Sequence, residues 1–424
     1  MKKMKSDYVI IGGGLAGVST LYELTKRGQD AILLEEKNDV ALETSFANGG
    51  MLTPSMADPW NSPGIARHLI NSLTDPYSAM KLRLKAIPEM AQWGLKFLHN
   101  STPKKYYAAT KASFELSKFS LNKINNLINE LNIQNDYLRN GTMKVFKSEK
   151  SLLQQIKIAK MLSELGLNFK VLNTNETIRI EPLLIDSANE IIGSIYYEDD
   201  ASGDARLFTK ALEVQVKKLG AKIITNSKVK KIIKDKNLIT GVETENNFIE
   251  TSNIIISAGN NSPNLVRQFG IKLSIKPVKG YSLTFELEGT NQLPRLPVID
   301  DSMHAAIVPL GKRLRAVGTA ELAGFDKTIP PERIENLKLL FKRLYPSLFT
   351  KIDWSQAKPW AGLRPMSADS LPFIGKFKNI EGLWINSGHG HLGWTMSLGS
   401  ASLLTDLILN TQPSINPLPY RVDR

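Results

Sequence analysis

YVIIGGGLAGVSTLYEL, residues 8–24, is the stretch that decides the fold. Tyr8-Val9-Ile10-Ile11 is a short apolar run of the buried-strand type. Gly12-Gly13-Gly14-Leu15-Ala16-Gly17 follows it. Leu15, Val18, Leu21 and Tyr22 then recur at helical spacing, and Arg27-Gly28 supplies a helix stop. Ala31-Ile32-Leu33-Leu34 is a second buried strand that closes at Glu35. The order is therefore strand, glycine turn, helix, strand. Gly12-x-Gly14-x-x-Gly17 has the dinucleotide-binding spacing. The first glycine permits a tight turn, the second lets the backbone approach a pyrophosphate, and the third lets helix pack on strand. The helix N-terminus then faces negative charge. Glu35 stands 18 residues beyond Gly17, where a ribose 2′-hydroxyl is held. An acid there argues against a 2′-phosphate, and so against NADP.

A second glycine-rich helix entrance lies at the far end of the chain, in INSGHGHLGWTMSLGS, residues 385–400. Two readings compete for it. His389 and His391 suggest a metal site, but a third ligand is needed and no carboxylate or thiol is near in sequence. His68, His99 and His304 are remote, and no metal is expected. The other reading is a backbone-lined cradle for an anionic group. Gly388, Gly390 and Gly393 allow close approach. A helix N-terminus would also stabilise the charge that a flavin gathers at N1 and O2 on reduction. FAD and NAD share the first fingerprint. Thr44-Ser45-Phe46-Ala47-Asn48-Gly49-Gly50, with its small hydroxyls and glycines, favours FAD by offering contacts to pyrophosphate, ribityl chain and flavin edge.

The 424 residues allow two or three domains. No stretch approaches the ~18 consecutive apolar residues of a spanning helix. The opening MKKMK mimics a signal peptide, yet Asp7 and the glycine cluster fit a first strand better. The chain has no cysteine, which excludes disulfides, thiol nucleophiles and zinc–thiolate sites. The net charge of +13 comes from scattered lysines and no nucleic-acid motif accompanies it, so no nucleic-acid partner is expected. A cytoplasmic protein is expected, with peripheral contact at the inner face of the membrane as an option.

Further βα pieces recur along the chain. A helix from Leu207 to Leu219 leads through Gly220 into Lys222-Ile223-Ile224. Ile254-Ile255-Ile256-Ser257-Ala258-Gly259 reads as another strand and turn. Residues 271–325 alternate with period two, which suggests an antiparallel sheet. The expected fold is α/β, α+β overall. It has a discontinuous Rossmann-like FAD-binding domain of residues 1–100, 200–265 and 350–424. An antiparallel-sheet substrate domain takes 101–199 and 266–349.

Several stretches together resemble the D-amino acid oxidase superfamily of FAD enzymes. They are VIIGGGLAGVSTLYEL (9–24), ALETSFANGG (41–50), EDDASGDARLFT (198–209), PVKGYSLTF (277–285), WAGLRPMSADSLPFIG (360–375) and NSGHGHLGWTMSLGS (386–400). His391 departs from the pattern, where a residue such as threonine is expected. The resemblance implies oxidation of a D-amino acid to an imino acid by hydride transfer from Cα to flavin N5. Hydrolysis to a 2-oxo acid and ammonia follows, and the electrons pass to a quinone or another non-oxygen acceptor. An amine oxidase of the same fold acting on glycine, sarcosine or hydroxyproline is the alternative.

The resemblance further implies FAD contacts from Gly12, Gly14, Leu15, Ala16, Gly17, Glu35, Glu36, Thr44, Ser45, Asn48, Gly49, Gly50 and Met51. To these it adds Val229, Ala258, Gly259, Gly362, Gly388, His389, Gly390, Leu392, Gly393, Trp394 and Thr395. Non-covalent FAD is expected, because there is no cysteine and no histidine in the first 67 residues. Arg364 is the first candidate to clamp the substrate carboxylate, since a guanidinium is planar, bidentate and permanently charged. Tyr281 is expected to donate its hydroxyl to the same group, with His304 and Arg315 as further candidates. Finally, residues 65–97 mix Leu69, Leu73, Met80, Leu84, Trp93 and Phe97 with Lys81, Arg83, Lys85 and Lys96. Such a segment fits either a helical cover or a basic membrane-docking patch.

Overall fold

The computed structural model describes residues 2–71, 80–287, 289 and 292–424. The apolar runs at both ends of the chain meet in one six-stranded sheet. Its order is Lys222–Ile224, Ala31–Leu34, Tyr8–Ile11, Asn253–Ile256, Leu383–Ser387, Phe373–Lys376. All neighbours are parallel except the edge strand Phe373–Lys376, which runs antiparallel.

These runs are continuously apolar because both faces are covered. Ile10, Leu33 and Ile255 point into a core of helices: Leu15–Lys26, Pro103–Leu131, Ala205–Lys218 and Gly393–Ile408. Val9, Ile11, Ile32, Leu34, Ile254 and Ile256 point the other way. They pack on Ile232, Ile239, Val242 and Ile249 of a second sheet ordered Lys2–Lys5, Asn247–Glu250, Leu238–Thr244, Val229–Asp235.

In the closing helix Gly393–Ile408, Trp394 through Asp406 are all buried. One neighbour is the helix Pro103–Leu131, expected on the substrate side. The crossing rests on small residues. The Gly399 N–H donates to Ser120 Oγ at 2.9 Å, and a Cβ on Gly399 would stand 2.5 Å from that of Ser120.

The large third sheet is mixed rather than wholly antiparallel. Its centre is the antiparallel set Lys358–Ser367, Ile275–Glu286, Arg313–Leu322, Ala305–Leu310 and Val298–Asp300. Thr142–Phe146 joins in parallel to Val298–Asp300, and Met80–Leu82 in parallel to Arg313–Leu322. Strand Lys358–Ser367 carries Arg364 and pairs Arg364 with Val278, so a segment expected in the FAD domain belongs to the large sheet.

In the region 65–97 the structure has helix Ile65–Asn71, strand Met80–Leu82 and helix Ile87–His99. Leu73 lies outside the described residues. Trp93 and Phe97 are buried against Val278 and Met366, and Trp93 Nε1 donates to Met366 O at 3.1 Å. They form the inner face of a cover.

A close backbone approach lies at the first turn. Gly12 has φ +114°, and a Cβ on Gly17 would stand 1.8 Å from the Gly12 carbonyl oxygen. Gly17→Ala therefore forces helix from strand. Overpacking of this kind costs about 1–3 kcal/mol. We expect a lowered urea midpoint with an unchanged slope; an unshifted midpoint would refute the close approach.

Candidate functional site

A single cavity of about 1420 Å³ runs from the glycine turn to the large sheet. That exceeds the ~300–1,000 Å³ of a drug-sized ligand site and leaves room for a dinucleotide plus a small second molecule.

At one end lie Gly12, Gly14, Leu15 and Ala16, where helix Leu15–Lys26 begins at Gly14, which has no side chain to cap it, and has no first-turn acid. Ser45 Oγ accepts from the Leu15 N–H at 3.2 Å. Glu35 Oε2 accepts from Gly13 N–H at 2.6 Å and Oε1 from Lys37 N–H at 2.8 Å. Burial pushes this carboxyl above its usual range, against the two amides that hold it. Glu36 and Val229 line the same end.

The loop 44–50 forms one wall. Thr44 Oγ1 donates to Leu363 O at 2.6 Å, and Asn48 Oδ1 accepts from Gly50 N–H at 3.0 Å. Thr44, Asn48, Gly49, Gly50 and Met51 reach the cavity, as do Ala258, Gly259 and Gly362. From the C-terminal entrance, His389, Gly390, Gly393 and Trp394 line it, so the structure brings both glycine-rich helix openings to one space.

Four expected residues stay outside. Gly17 is held by its packing on Gly12. Gly388, at φ +85°, packs on Ile275 and Phe373. Leu392 sits in the helical core. Thr395 Oγ1 accepts from Thr53 N–H at 3.0 Å.

The space suits a polar ligand. Ser227 Oγ, Ser257 Oγ, Asn260 Oδ1 and Asn386 Oδ1 are buried and have no hydrogen-bond partner among the described residues, and all four residues line it. Buried polar atoms of this kind call for a bonding partner. The residues present fit FAD: amide donors and an uncapped helix for phosphate, Glu35 for a ribose, and a second helix opening at the far wall.

Arg364 lines the same chamber. Its Nη1 donates to Thr319 O at 3.1 Å, and its guanidinium stands 5.3 Å from the Trp60 ring centroid. A Cβ on Gly280 would come within 2.2 Å of Nη1, so only glycine admits the guanidinium there. Burial pulls Arg364 down to about 10, which leaves it charged at neutral pH. Among the described residues no carboxylate forms an ion pair with it.

The other candidates are engaged elsewhere. Tyr281 lines the chamber, but its hydroxyl donates to Glu321, which also receives Arg83 and lies 3.6 Å from Lys279 Nζ. Arg315 does not reach the cavity. Its Nη1 donates to Asn48 O at 3.0 Å, its Nε to Thr284 Oγ1 at 3.0 Å, and its Nη2 meets Asp204 at 3.4 Å. It braces the loop 44–50. His304 lines the chamber on a left-handed residue, φ +45°.

The histidine pair has separate roles. His389 Nε2 meets Ser400 Oγ at 3.0 Å, and burial pulls the ring down to about 4. His391 Nε2 donates to Met56 O at 3.1 Å, its ring stacks on Trp60 at 5.0 Å, and burial pulls it to about 4. Among the described residues no three His, Asp or Glu side chains gather to hold a metal ion.

Sequence reasoning missed Gly13, Asp58, Trp60, Lys144, Gly280 and Asp301, all of which line the cavity. Gly13 was legible within the turn. The others belong to no spacing motif and meet only through the sheet.

The fold and cavity define a dinucleotide-dependent oxidoreductase. The chain belongs to the FAD dependent oxidoreductase family (DAO), whose model matches residues 7–407. It is 33% identical over 416 residues to a D-amino acid dehydrogenase of Rhizorhabdus wittichii, covering 98% of this chain and 99% of that one. It is 34% identical over 415 residues to one of Rhizobium rhizogenes, with 98% and 99% covered. Among solved structures it is similar to glycine oxidase from Geobacillus kaustophilus, with TM-score 0.78, 21% identity and 99% of both chains covered. L-proline dehydrogenase from P. horikoshii superposes with TM-score 0.79 at 19% identity, covering 99% and 97%.

The Glu321 contact gives a test. Tyr281→Phe removes a donor from a buried carboxylate, which costs about 1–3 kcal/mol of stability. Denaturant titration should show that loss while the KM for substrate stays near the wild-type value. A large rise in KM with unchanged stability would return the hydroxyl to the substrate.

Proposed function

We propose that this chain binds FAD non-covalently along the glycine-lined half of the cavity and oxidises D-amino acids whose carboxylate rests on Arg364. The observation that carries the reading is a desolvated, charged guanidinium that has no carboxylate partner among the described residues, beside two helix openings that face one space. When bound, the flavin supplies the acceptor for the hydride leaving Cα. The protein's part is orientation and electrostatics.

Arg364, fixed by Thr319 O and the Trp60 face, holds the carboxylate in a bidentate grip. His389 and His391 are neutral at pH 7, so neither adds charge beside the clamp. The imine product then hydrolyses to a 2-oxo acid and ammonia. Non-covalent attachment is supported by the absence of cysteine and by His389 and His391 each committing Nε2 to a protein atom. The D configuration rests on relatives at 33% and 34% identity named D-amino acid dehydrogenase.

The same relatives support an acceptor other than oxygen, and we assign a quinone to that role. Among the described residues no helix is long and apolar enough to cross a membrane. The outer face of the cover nevertheless exposes Leu84 at 68% and Leu95 at 71%, with Ile87 and Leu98, beside Lys85 and Lys96. Exposed leucines among lysines fit the surface of an anionic bilayer.

Arg364→Ala tests the clamp. Truncating one partner of a buried charge pair costs about 2–5 kcal/mol, or about 30- to several-thousand-fold in kcat/KM. Absorbance near 450 nm should show FAD occupancy retained. Loss of flavin with normal turnover of the remainder would make Arg364 structural. Anaerobic stopped-flow reduction by D-, L- and N-methyl amino acids and glycine tests the substrate class; reduction by glycine or sarcosine alone would favour the amine-oxidase alternative. For the docking face, wild-type protein should co-sediment with phosphatidylglycerol vesicles at low salt, and Leu84→Ser/Leu95→Ser should not. Absence of wild-type binding removes the membrane from the proposal.

A further inference from the structure

His391 has one ring nitrogen committed and the other bare. Nε2 meets Met56 O at 3.1 Å. A carbonyl oxygen only accepts, so Nε2 carries the proton, and in the neutral ring Nδ1 is left as a lone pair. Among the described residues nothing bonds to Nδ1. Nor is it sealed in, as Asn386 Oδ1 is, for the ring is half-buried and lines the cavity. Burial, and the charge of Arg364 in addition, pull the ring down to about 4, so Nδ1 remains an acceptor at pH 7. His389 also commits Nε2, to Ser400 Oγ, but burial alone accounts for its shift and Arg364 does not act on it.

The His391 ring stands beside the clamp. It stacks on the Trp60 ring at 5.0 Å and 17°, and the Arg364 guanidinium stands 5.3 Å from the same indole. The two groups can be no further apart than those lengths together. The loop that holds the ring is itself tied down. Met56 N–H donates to Thr53 O at 3.1 Å, Ser55 Oγ donates to the buried Asp200 at 2.5 Å, and Thr53 N–H donates to Thr395 at 3.0 Å. An α-amino nitrogen lies about 2.5 Å from its carboxyl carbon. An amino acid held by its carboxylate on Arg364 therefore carries its amine within the span between clamp and imidazole.

We propose that His391 is a catalytic residue whose Nδ1 accepts a hydrogen bond from the substrate α-amine while the hydride leaves Cα. The inference rests on the function proposed above. The α-ammonium gives one proton to solvent and meets His391 as the neutral amine. As the Cα–H bond breaks, the hydrogen and its electron pair pass to the flavin, which is reduced. The nitrogen lone pair forms the C=N bond, and the substrate is oxidised to the iminium. Positive charge grows on nitrogen, so its N–H becomes a stronger donor. The bond to Nδ1 is then stronger in the transition state than in the ground state, which is the condition for accelerating the step. His391 stands where the family resemblance leads one to expect threonine, so this contact marks this chain.

His391→Gln tests the assignment, because the glutamine amide keeps a donor for Met56 O while the Nδ1 lone pair is lost. In anaerobic stopped-flow reduction of the FAD-loaded enzyme by D-amino acids, the limiting rate should fall about 10- to 100-fold, as for a hydrogen bond to a charged group. The apparent Kd for substrate should move less than about threefold, the signature of an interaction made in the transition state. His391→Asn, whose Oδ1 falls near the Nδ1 position, should recover part of the rate. An unchanged limiting rate, or weakened binding with loss of FAD, overturns the assignment and leaves His391 a support for the loop. A second readout needs no turnover. Anthranilate carries a neutral amine beside its carboxylate, and benzoate lacks it. Calorimetric titration of oxidised holoenzyme should give anthranilate tighter than benzoate, with the difference lost in His391→Gln. Equal wild-type affinities, or a difference that survives in the variant, overturn the contact. If no amino acid reduces the flavin, the proposed function fails, and this binding difference decides the contact alone.

Discussion

The strand Asn253–Ile256 is hydrogen-bonded on both sides by the two ends of the polypeptide. Ile254 pairs with Val9 on one flank and with Leu383 on the other. Both neighbours run parallel to it, so both present their C-terminal ends at the same edge of the sheet. In open parallel sheets, ligands lie beyond those ends. The turn after Ile11 leads into the helix Leu15–Lys26, and the turns after Ser387 lead into the helix Gly393–Ile408. Two helix openings therefore face one cavity because a single strand fixes their mutual register. The site residues at both ends depend on that pairing.

Legibility in the sequence followed the range of the interaction. The glycine turn, the strand before it and Glu35 lie within 30 residues, and each leaves a local mark, whether spacing, periodicity or a helix stop. The C-terminal entrance was equally readable, although its histidines suggested a metal. The structure gives His389 to Ser400 and His391 to Met56. What periodicity could not resolve was which face each amphipathic piece covers. The segment holding Trp93 and Phe97 fitted either a helical cover or a membrane-docking patch, and these two rings pack on Met366 and Val278, far away in sequence. Pro103–Leu131 looked like part of the substrate unit, and its docking depends on Gly399 meeting Ser120. No pattern within a helix encodes its partner.

Arginines 315 and 364 show why residue type alone does not mark a site. Arg315 is buried and Arg364 half-buried, and both were candidates. Arg315 faces Asp204, and Asp204 also receives Arg313 and caps the helix Ala205–Lys218 through the N–H groups of Arg206 and Leu207. Its charge is compensated within the protein, and its role is to hold the loop 44–50 in place. Arg364 has one carbonyl and an aromatic face. Tyr281 makes the same point from the neutral side, since its hydroxyl is already taken by Glu321. The distinction lies in the hydrogen-bond ledger of the folded chain, where a compensated group is scaffold and an uncompensated one is addressed to a ligand.

An uncompensated buried charge is costly in the free protein, so it persists only where the surrounding structure over-determines it. Arg364 meets that condition. It is held by the antiparallel pairing of Lys358–Ser367 with Ile275–Glu286 and by the bare backbone of Gly280 beneath it. A ligand that brings an anion to it relieves that penalty. Its affinity then includes the desolvation the fold has already met, which is the thermodynamic content of preorganisation.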